Sequence, residues 1–181
     1  YKRQPLTQSS PSPVDSLRAA PDETLYEGWS KPVIELFVSG RQHGYIEPCG
    51  CTGLANQKGG LLRRHTCLEE LRAKGWDVIP LDLGNQVRRF GAQASIKFTR
   101  TVEALTGVMQ YQAIGLGPDD LKLPSTDLIQ AIVNSSEDDH VFTSANVDLF
   151  GGFVPKVQIV ERNGQTLGIS SELGAKAAAD I

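Results

Sequence analysis

The sequence reads Val33-Ile-Glu-Leu-Phe-Val38 immediately before a turn signal at Ser39-Gly40. A short continuous run of β-favouring residues that stops at turn residues is typical of a strand buried in a parallel or mixed sheet. An alternating strand at a sheet edge fits this run less well. We therefore expect the first core strand of the fold at this position.

Helical and extended segments alternate after this strand. In the two longest helical segments the apolar residues recur every three or four positions, as on the buried face of a helix. Gly75 marks the end of the first of these helices. In chain order, the predicted elements are a helix over 60–74, a strand over 77–82, a helix over 94–109, a strand over 111–116, a helix over 127–133 and a strand over 141–143.

The order of these elements predicts an α/β fold in which helices flank a largely parallel sheet. The last part of the chain has a different pattern. Residues 156–161 and 165–169 flank Arg162-Asn-Gly164, and Asn-Gly favours the tight type I′ turn of a β-hairpin. We expect the fold to end in an antiparallel hairpin.

Composition narrows the classes of function. The chain has 181 residues, of which 40% are hydrophobic, which is enough for one domain with a sizeable core. Its 18 Lys and Arg residues are scattered among 21 Asp and Glu residues, and the net charge of −3 gives no basic field that would hold nucleic acid. The apolar runs are shorter than the roughly 20 residues of a membrane-spanning helix.

Three regions are expected along the chain. Residues 1–30 are rich in proline and polar residues, a composition that buries too little apolar surface to offset the entropy of ordering. They predict a loosely attached arm. Residues 31–174 form the predicted domain, and residues 175–181 a short tail, so that the chain is expected to be part of a longer protein.

The side chains with the most chemistry follow the predicted strands. Ligands of open α/β sheets bind beyond the carboxyl ends of the strands. Three loops leave such ends, over residues 39–58, 83–92 and 115–124. These loops hold His43, Cys49, Cys51, Asn85, Asp119 and Asp120.

Cys49-Gly50-Cys51 has three interpretations. Two thiolates this close can bind one soft metal such as Zn²⁺, with His43, His65 or Cys67 as further ligands. They also fit a strained disulfide that cycles between redox states. In the third interpretation the two residues only pack in a structured loop. No Cys-x-x-Cys-His motif occurs, so covalent haem is not expected.

Other candidate residues have both functional and structural interpretations. Gly59 and Gly60 at a helix start offer backbone N–H groups to an anion, with Arg63 nearby, although close packing of a helix on a sheet also needs glycine. Asp119 and Asp120 are expected in an ordinary turn, with a carboxylate pair for a cation as the alternative. Cys67, next to the leucine stripe of its helix, is expected to be a buried thiol that packs as a small apolar residue.

Five motifs in a fixed order carry a resemblance: Gly40-Arg-Gln-His-Gly44, Gly59-Gly-Leu-Leu-Arg63, Leu81-Asp-Leu-Gly-Asn85, Tyr111-Gln-Ala-Ile-Gly-Leu-Gly117 and Ser144-Ala-Asn-Val147. Together they resemble the calcineurin-like metallophosphoesterases, specifically the 5′-nucleotidase branch. The similarity spans residues 33–170, which would be the N-terminal half of that family's catalytic domain.

This resemblance implies two metal ions, held by Asp and His ligands, that activate water and clamp a phosphoryl group. His43 matches one ligand, but Arg41 stands at the first Asp position and Asn85 at the bridging Asp position. Asp119 stands at a His position of the third motif. Because Arg does not ligate metals and Asn85 carries no charge, we expect a non-hydrolytic pseudoenzyme. An active phosphoesterase with atypical ligands and a purely structural module are the alternatives.

A second resemblance lies in Gly44-Tyr-Ile-Glu-Pro-Cys49-Gly-Cys51, followed by Gly59-Gly60. This stretch looks like a bacterial subgroup of such domains that carries a Pro-Cys-Gly-Cys loop. Some members are exported or joined to multi-haem cytochrome segments. The resemblance implies a periplasmic or other extracytoplasmic location, a multi-haem cytochrome or another exported protein as partner, and a role in metal binding, redox contact or interaction.

Overall fold

The computed structural model describes residues 26–48, 53, 59–88, 91–135, 140–149 and 151–179. Three parallel strands form a sheet in the order β1 (Glu35–Ser39), β2 (Val78–Asp82) and β3 (Ala113–Ile114). Phe142 adds a single parallel bridge to Ile114, at the place where a fourth strand was expected over 141–143. The predicted α/β fold with a parallel sheet is confirmed.

The setting of β1 differs from the prediction of a strand buried on both faces. β1 is at the edge of the described sheet, and its side chains alternate in burial. Leu36 and Val38 are 48% and 54% exposed, whereas Phe37 packs against the core. In a run this apolar both faces look alike, so the sequence does not tell which face the fold covers.

Helices flank the sheet as predicted. They are α1 (Leu61–Ala73), α2 (Ala92–Glu103), which continues into a π-helical turn over Ala104–Val108, and α3 (Ser125–Asn134). Their apolar faces meet in one core, where Phe98 stacks on Phe142 with ring centroids 6.4 Å apart. Burying a side chain such as Phe98 stabilises the fold by about 1.5–3 kcal/mol. The core therefore anchors the helices whose first turns face the strand-end loops.

The predicted hairpin is present as β4 (Gln158–Arg162) and β5 (Gln165–Ile169), paired antiparallel. Asn163 and Gly164 have φ angles of 50° and 72°, as a type I′ turn requires at both central positions. The Asn163 side-chain amide donates to the Val33 carbonyl at 2.8 Å. This bond ties the hairpin to the chain just before β1.

The first and last residues that the structure describes form local structure. Tyr26 makes edge-to-face contacts with Trp29 and Trp76, with ring centroids 5.4 and 6.0 Å apart, and its carbonyl accepts a 3.2 Å hydrogen bond from the Lys74 ammonium. A four-residue helix, α4 (Ala175–Ala178), lies in the predicted tail. Within the described ranges no helix is long and apolar enough to cross a membrane.

Candidate functional site

The loops that follow β1 and β2 run side by side beyond the carboxyl ends of the strands. The Arg41 amide donates to the Gly84 carbonyl at 2.8 Å, and the His43 amide donates to the Asn85 carbonyl at 3.0 Å. Arg41 and His43 both have positive φ angles, of 54° and 53°. Left-handed backbone at two non-glycine residues is uncommon and is kept here by these hydrogen bonds.

The loop after β3 joins the other two at Asn85. The Asn85 side-chain oxygen accepts a 3.1 Å hydrogen bond from the Asp119 amide. A Cβ atom on Gly117 would lie only 2.3 Å from this oxygen, and one on Gly84 would lie 2.4 Å from the Gly117 amide nitrogen. The contact therefore requires glycine at both positions, and it brings Arg41, His43, Asn85 and Asp119 to one edge of the sheet.

Asp82, at the end of β2, is the centre of a buried polar network. Its carboxylate is fully buried and forms an ion pair with Arg64 on α1, at 2.9 Å. It also accepts hydrogen bonds from the Ser39 hydroxyl at 2.7 Å, the Gly84 amide at 2.8 Å and the Gln86 side chain at 2.6 Å. Four donors thus compensate the cost of burying this charge.

The network extends outward from both partners of the ion pair. A second Arg64 nitrogen donates to the Gln42 side-chain oxygen at 2.7 Å, and the Gln42 amide group donates to the Tyr45 carbonyl. On the inner side, the Ser39 hydroxyl lies 2.8 Å from the Tyr111 hydroxyl. Burial raises the pKa of Tyr111, an effect that the hydrogen bond with Ser39 opposes. The ion pair therefore connects α1, β2 and the loop after β1.

Asp120 forms a second buried carboxylate site at the same edge. It accepts four backbone hydrogen bonds, from Gly117 at 3.0 Å, Asn85 at 2.6 Å, Gln86 at 2.8 Å and Val87 at 3.3 Å. Burial raises the pKa of this carboxyl to about 7, although the four hydrogen bonds oppose the shift. The predicted turn is present, but Asp120 also holds the loops after β2 and β3 together.

The residues at this edge do not fit the two-metal centre that the resemblance implies. The four side chains at the matching positions are Arg41, His43, Asn85 and Asp119, of which only Asp119 is anionic. The Asp119 carboxylate is itself paired with Lys122, at 3.4 Å. In the part of the chain that the structure describes, no three His, Cys, Asp or Glu side chains are grouped to hold a metal ion. Two divalent cations need more anionic oxygen ligands than this set provides.

The remaining candidate residues have separate placements. Cys49 and Cys51 lie outside the described residues. Cys67 is half-buried, with its sulfur 4.0 Å from the Tyr26 hydroxyl, so the prediction of a buried thiol is only partly met. His65 is half-buried on α1.

Gly59, Gly60 and Arg63 line a cavity of about 560 Å³ together with Arg41 and Arg64. A Cβ on Gly60 would lie 2.9 Å from the Pro48 amide nitrogen, so this glycine also permits close packing. A second cavity, of about 400 Å³, lies beside His43 and is also lined by Arg88 and Lys97.

The ion pair of Arg64 and Asp82 was not predicted from the sequence. One signal was available: an acidic residue that ends a strongly apolar strand will be buried, and a buried carboxylate needs a cationic or hydrogen-bonding partner. Arg63 and Arg64 were the nearest basic pair on the first predicted helix. Their spacing alone does not tell which of the two faces the sheet.

Two of the solved structures that share this fold are nucleotidases. A 5′-nucleotidase precursor from Thermus thermophilus matches with a TM-score of 0.62 and 22% identity, over 79% of this chain and 29% of that chain. The NAD nucleotidase of Haemophilus influenzae matches with a TM-score of 0.57 and 18% identity, over 79% of this chain and 27% of that chain. This chain thus spans less than a third of the length of either structure.

No protein-family model matches the sequence, and no curated protein matches it. The likeness to the two solved structures, at low identity, concerns the fold alone. It confirms the fold that the sequence motifs implied: the chain has an α/β fold like that of the 5′-nucleotidase structure.

Proposed function

We propose that this chain is a non-hydrolytic domain with a 5′-nucleotidase-like fold, and that it acts by binding rather than by phosphoester hydrolysis. One observation carries the proposal. At the edge where metal ligands would converge, the two buried carboxylates, Asp82 and Asp120, have their oxygens engaged by protein donors. A metal ion would have to displace these donors.

The charges at the same edge support the proposal. Arg41 places a guanidinium where a hydrolytic centre needs an anionic ligand, and Asn85 offers a neutral oxygen that already accepts the Asp119 amide. Two-metal hydrolysis depends on ligands that concentrate negative charge around the ions. Arg88 and Lys97 line the cavity beside His43, and their positive charges oppose a pair of divalent cations there.

The binding role is supported by the cavity that Gly59, Gly60, Arg41, Arg63 and Arg64 line. Arginine is suited to phosphate and carboxylate groups because its planar N–H groups match two oxygens at once. The amide groups at the first turn of α1 add a partial positive charge on the same side. We propose this cavity as the anion-binding site of the domain.

Mn²⁺ titration by calorimetry tests the loss of the metal centre. The protein used carries Cys49→Ser, Cys51→Ser and Cys67→Ser, so that thiols do not contribute. We expect a Kd weaker than about 1 mM, equivalent to roughly 4 kcal/mol of binding. Adding Arg41→Asp and Asn85→Asp restores two anionic ligands and should strengthen Mn²⁺ binding at least tenfold.

Aspartate tolerates the left-handed backbone at both of these positions. Arg100→Asp makes the same charge change as Arg41→Asp alone, at a position on α2 that lines neither cavity and where Arg100 pairs with Glu103, and it serves as the control. Tight Mn²⁺ binding by the thiol-free protein before any restoration contradicts the proposal.

A role for Cys49 and Cys51 in binding a soft metal such as Zn²⁺, with His43 as a third ligand, is a second proposal. It is supported by the spacing of the thiols and by the position of His43 six residues before Cys49. Redox cycling of the pair remains the alternative. An extracytoplasmic location and an association with a multi-haem cytochrome also remain predictions from the resemblance.

A further inference from the structure

Tyr45 stands between two cavities at the carboxyl edge of the sheet. It lines the cavity of about 560 Å³ on the side of α1, and it also lines the cavity of about 400 Å³ on the side of α2. Its side chain is 54% exposed. The two cavities are therefore adjacent, with Tyr45 at their shared boundary.

The α1-side cavity is positively charged. Arg41 is exposed at its wall, and Arg63 also lines it. Arg64 adds less to the positive charge of this cavity, because Asp82 balances the charge of Arg64. An anionic group in this cavity would meet the Arg41 guanidinium without displacing the buried ion pair.

The α2-side cavity is positively charged as well. Arg88 and Lys97 line it, together with His43 and Gln93, which lies in the first turn of α2. Gly44 has no side chain, and a Cβ there would lie 3.2 Å from Cδ of Lys97. Because Gly44 lacks a Cβ, the Lys97 side chain can lie over the loop and bring the Lys97 ammonium to the cavity.

The sign of these charges contrasts with the chain as a whole, which has a net charge of −3. None of the described residues that line either cavity is acidic. Two neighbouring cavities that are both lined by positive charges raise the local concentration of anionic ligands. Tyr45 is exposed, and its aromatic side chain adds a surface on which an uncharged organic group can pack.

We infer that the two cavities together bind a small organic molecule with two anionic groups, one in each cavity, and with its uncharged middle part against Tyr45. This inference deepens the proposed binding function and rests on it. The paired arginine and lysine side chains favour phosphoryl or carboxylate groups. A ligand with one anionic group would fill only half of the site.

Fructose 1,6-bisphosphate is a suitable probe, and fructose 6-phosphate is the matched ligand with one phosphoryl group. By calorimetry at fixed low salt, we expect the bisphosphate to bind at least tenfold more tightly than the monophosphate. Arg41→Gln and Lys97→Gln, one in each cavity, should each remove most of that difference. Arg100→Gln removes the same charge from α2 outside both cavities and should retain it.

Equal affinity for the bisphosphate and the monophosphate overturns the inference. An equal loss of affinity for the bisphosphate in Arg100→Gln and Lys97→Gln also overturns it. Tyr45→Ala should weaken the bisphosphate more than inorganic phosphate, and an identical effect on both also counts against it. Release of inorganic phosphate is measured in the same samples. Release would contradict the proposed non-hydrolytic function, while the site is still judged by the affinities of the variants.

Discussion

Arg64 and Asp82 form a 2.9 Å ion pair between the first turn of α1 and the last residue of β2, with side chains that are 12% and 0% exposed. The pair lies directly behind the loops that carry Arg41, His43 and Asn85. Within the pair the two charges balance, and the Asp82 carboxylate is already engaged and is not free to ligate a metal ion. The pair thus contributes both to the stability of the edge and to its mismatch with a metal centre.

Removing the cation should be costly. Arg64→Ala leaves the buried Asp82 carboxylate without its ionic partner, and breaking a buried pair in this way costs about 3–5 kcal/mol. Urea denaturation followed by circular dichroism measures the loss. Arg100→Ala breaks an exposed pair and should cost less than about 1 kcal/mol. A loss of similar size in both variants would show that the Arg64 pair is not structurally important.

Glycine at position 84 should be indispensable. Gly84 has a φ of 85°, and a Cβ there would lie 2.4 Å from the Gly117 amide nitrogen, so both strain and a backbone clash oppose Gly84→Ala. We expect a loss of more than about 2 kcal/mol. Gly107→Ala is the control, because nothing lies within 4 Å of a Cβ there, and it should change stability by less than about 1 kcal/mol. Equal effects would contradict the tight contact between the two loops.

Asp120 should make stability depend on pH. Its pKa is raised by burial from 3.8 to about 7, so between these values the folded state holds a proton that the unfolded state releases. The free energy of unfolding contributed by this group is therefore largest below pH 4 and falls as the pH rises towards 7. Denaturation midpoints at several pH values measure the slope.

Asp120→Asn should remove this component of the slope, and it should also destabilise the protein because an amide cannot accept all four backbone hydrogen bonds. Asp127→Asn, in the first turn of α3, is the matched control, and the component of the slope that Asp120 contributes should persist in it. An unchanged slope in Asp120→Asn would show that Asp120 does not titrate in this range.

The thiol pair should hold metal if the second proposal is right. We expect about one Zn²⁺ per chain in purified protein, lost in the Cys49→Ser, Cys51→Ser double variant and retained in Cys67→Ser. Metal content by mass spectrometry gives the result. If Cys49 and Cys51 instead change together between a disulfide and two thiols, without bound metal, the redox interpretation is favoured.

Helices and the hairpin were predictable because their signals are local. The spacing of Leu61, Leu68 and Leu71 places one helix, and Asn163-Gly164 fixes the turn. The exposure of one face of β1 was not predictable, since it depends on which elements cover the sheet. β3 has only two paired residues because the chain leaves the sheet at Gly115, whose amide still bonds to the Asp82 carbonyl at 2.7 Å.

The sequence predicted which loops carry the residues of the candidate site, but it did not predict the contacts that these residues make. Topology alone placed His43, Asn85 and Asp119 at the carboxyl ends of the strands. The burial of Asp82 and Asp120 and the two cavities on either side of Tyr45 depend on long-range contacts. No spacing along the sequence encodes the bond between Asp120 and the Gln86 amide, which joins residues 34 positions apart.

The most direct test of the central claim is a steady-state assay of phosphomonoester hydrolysis with p-nitrophenyl phosphate, in the presence of Mn²⁺ or Zn²⁺. His43→Ala is measured beside the unaltered protein. The account predicts that neither protein hydrolyses the ester above the metal-only background. Turnover by the unaltered protein that His43→Ala abolishes would contradict it.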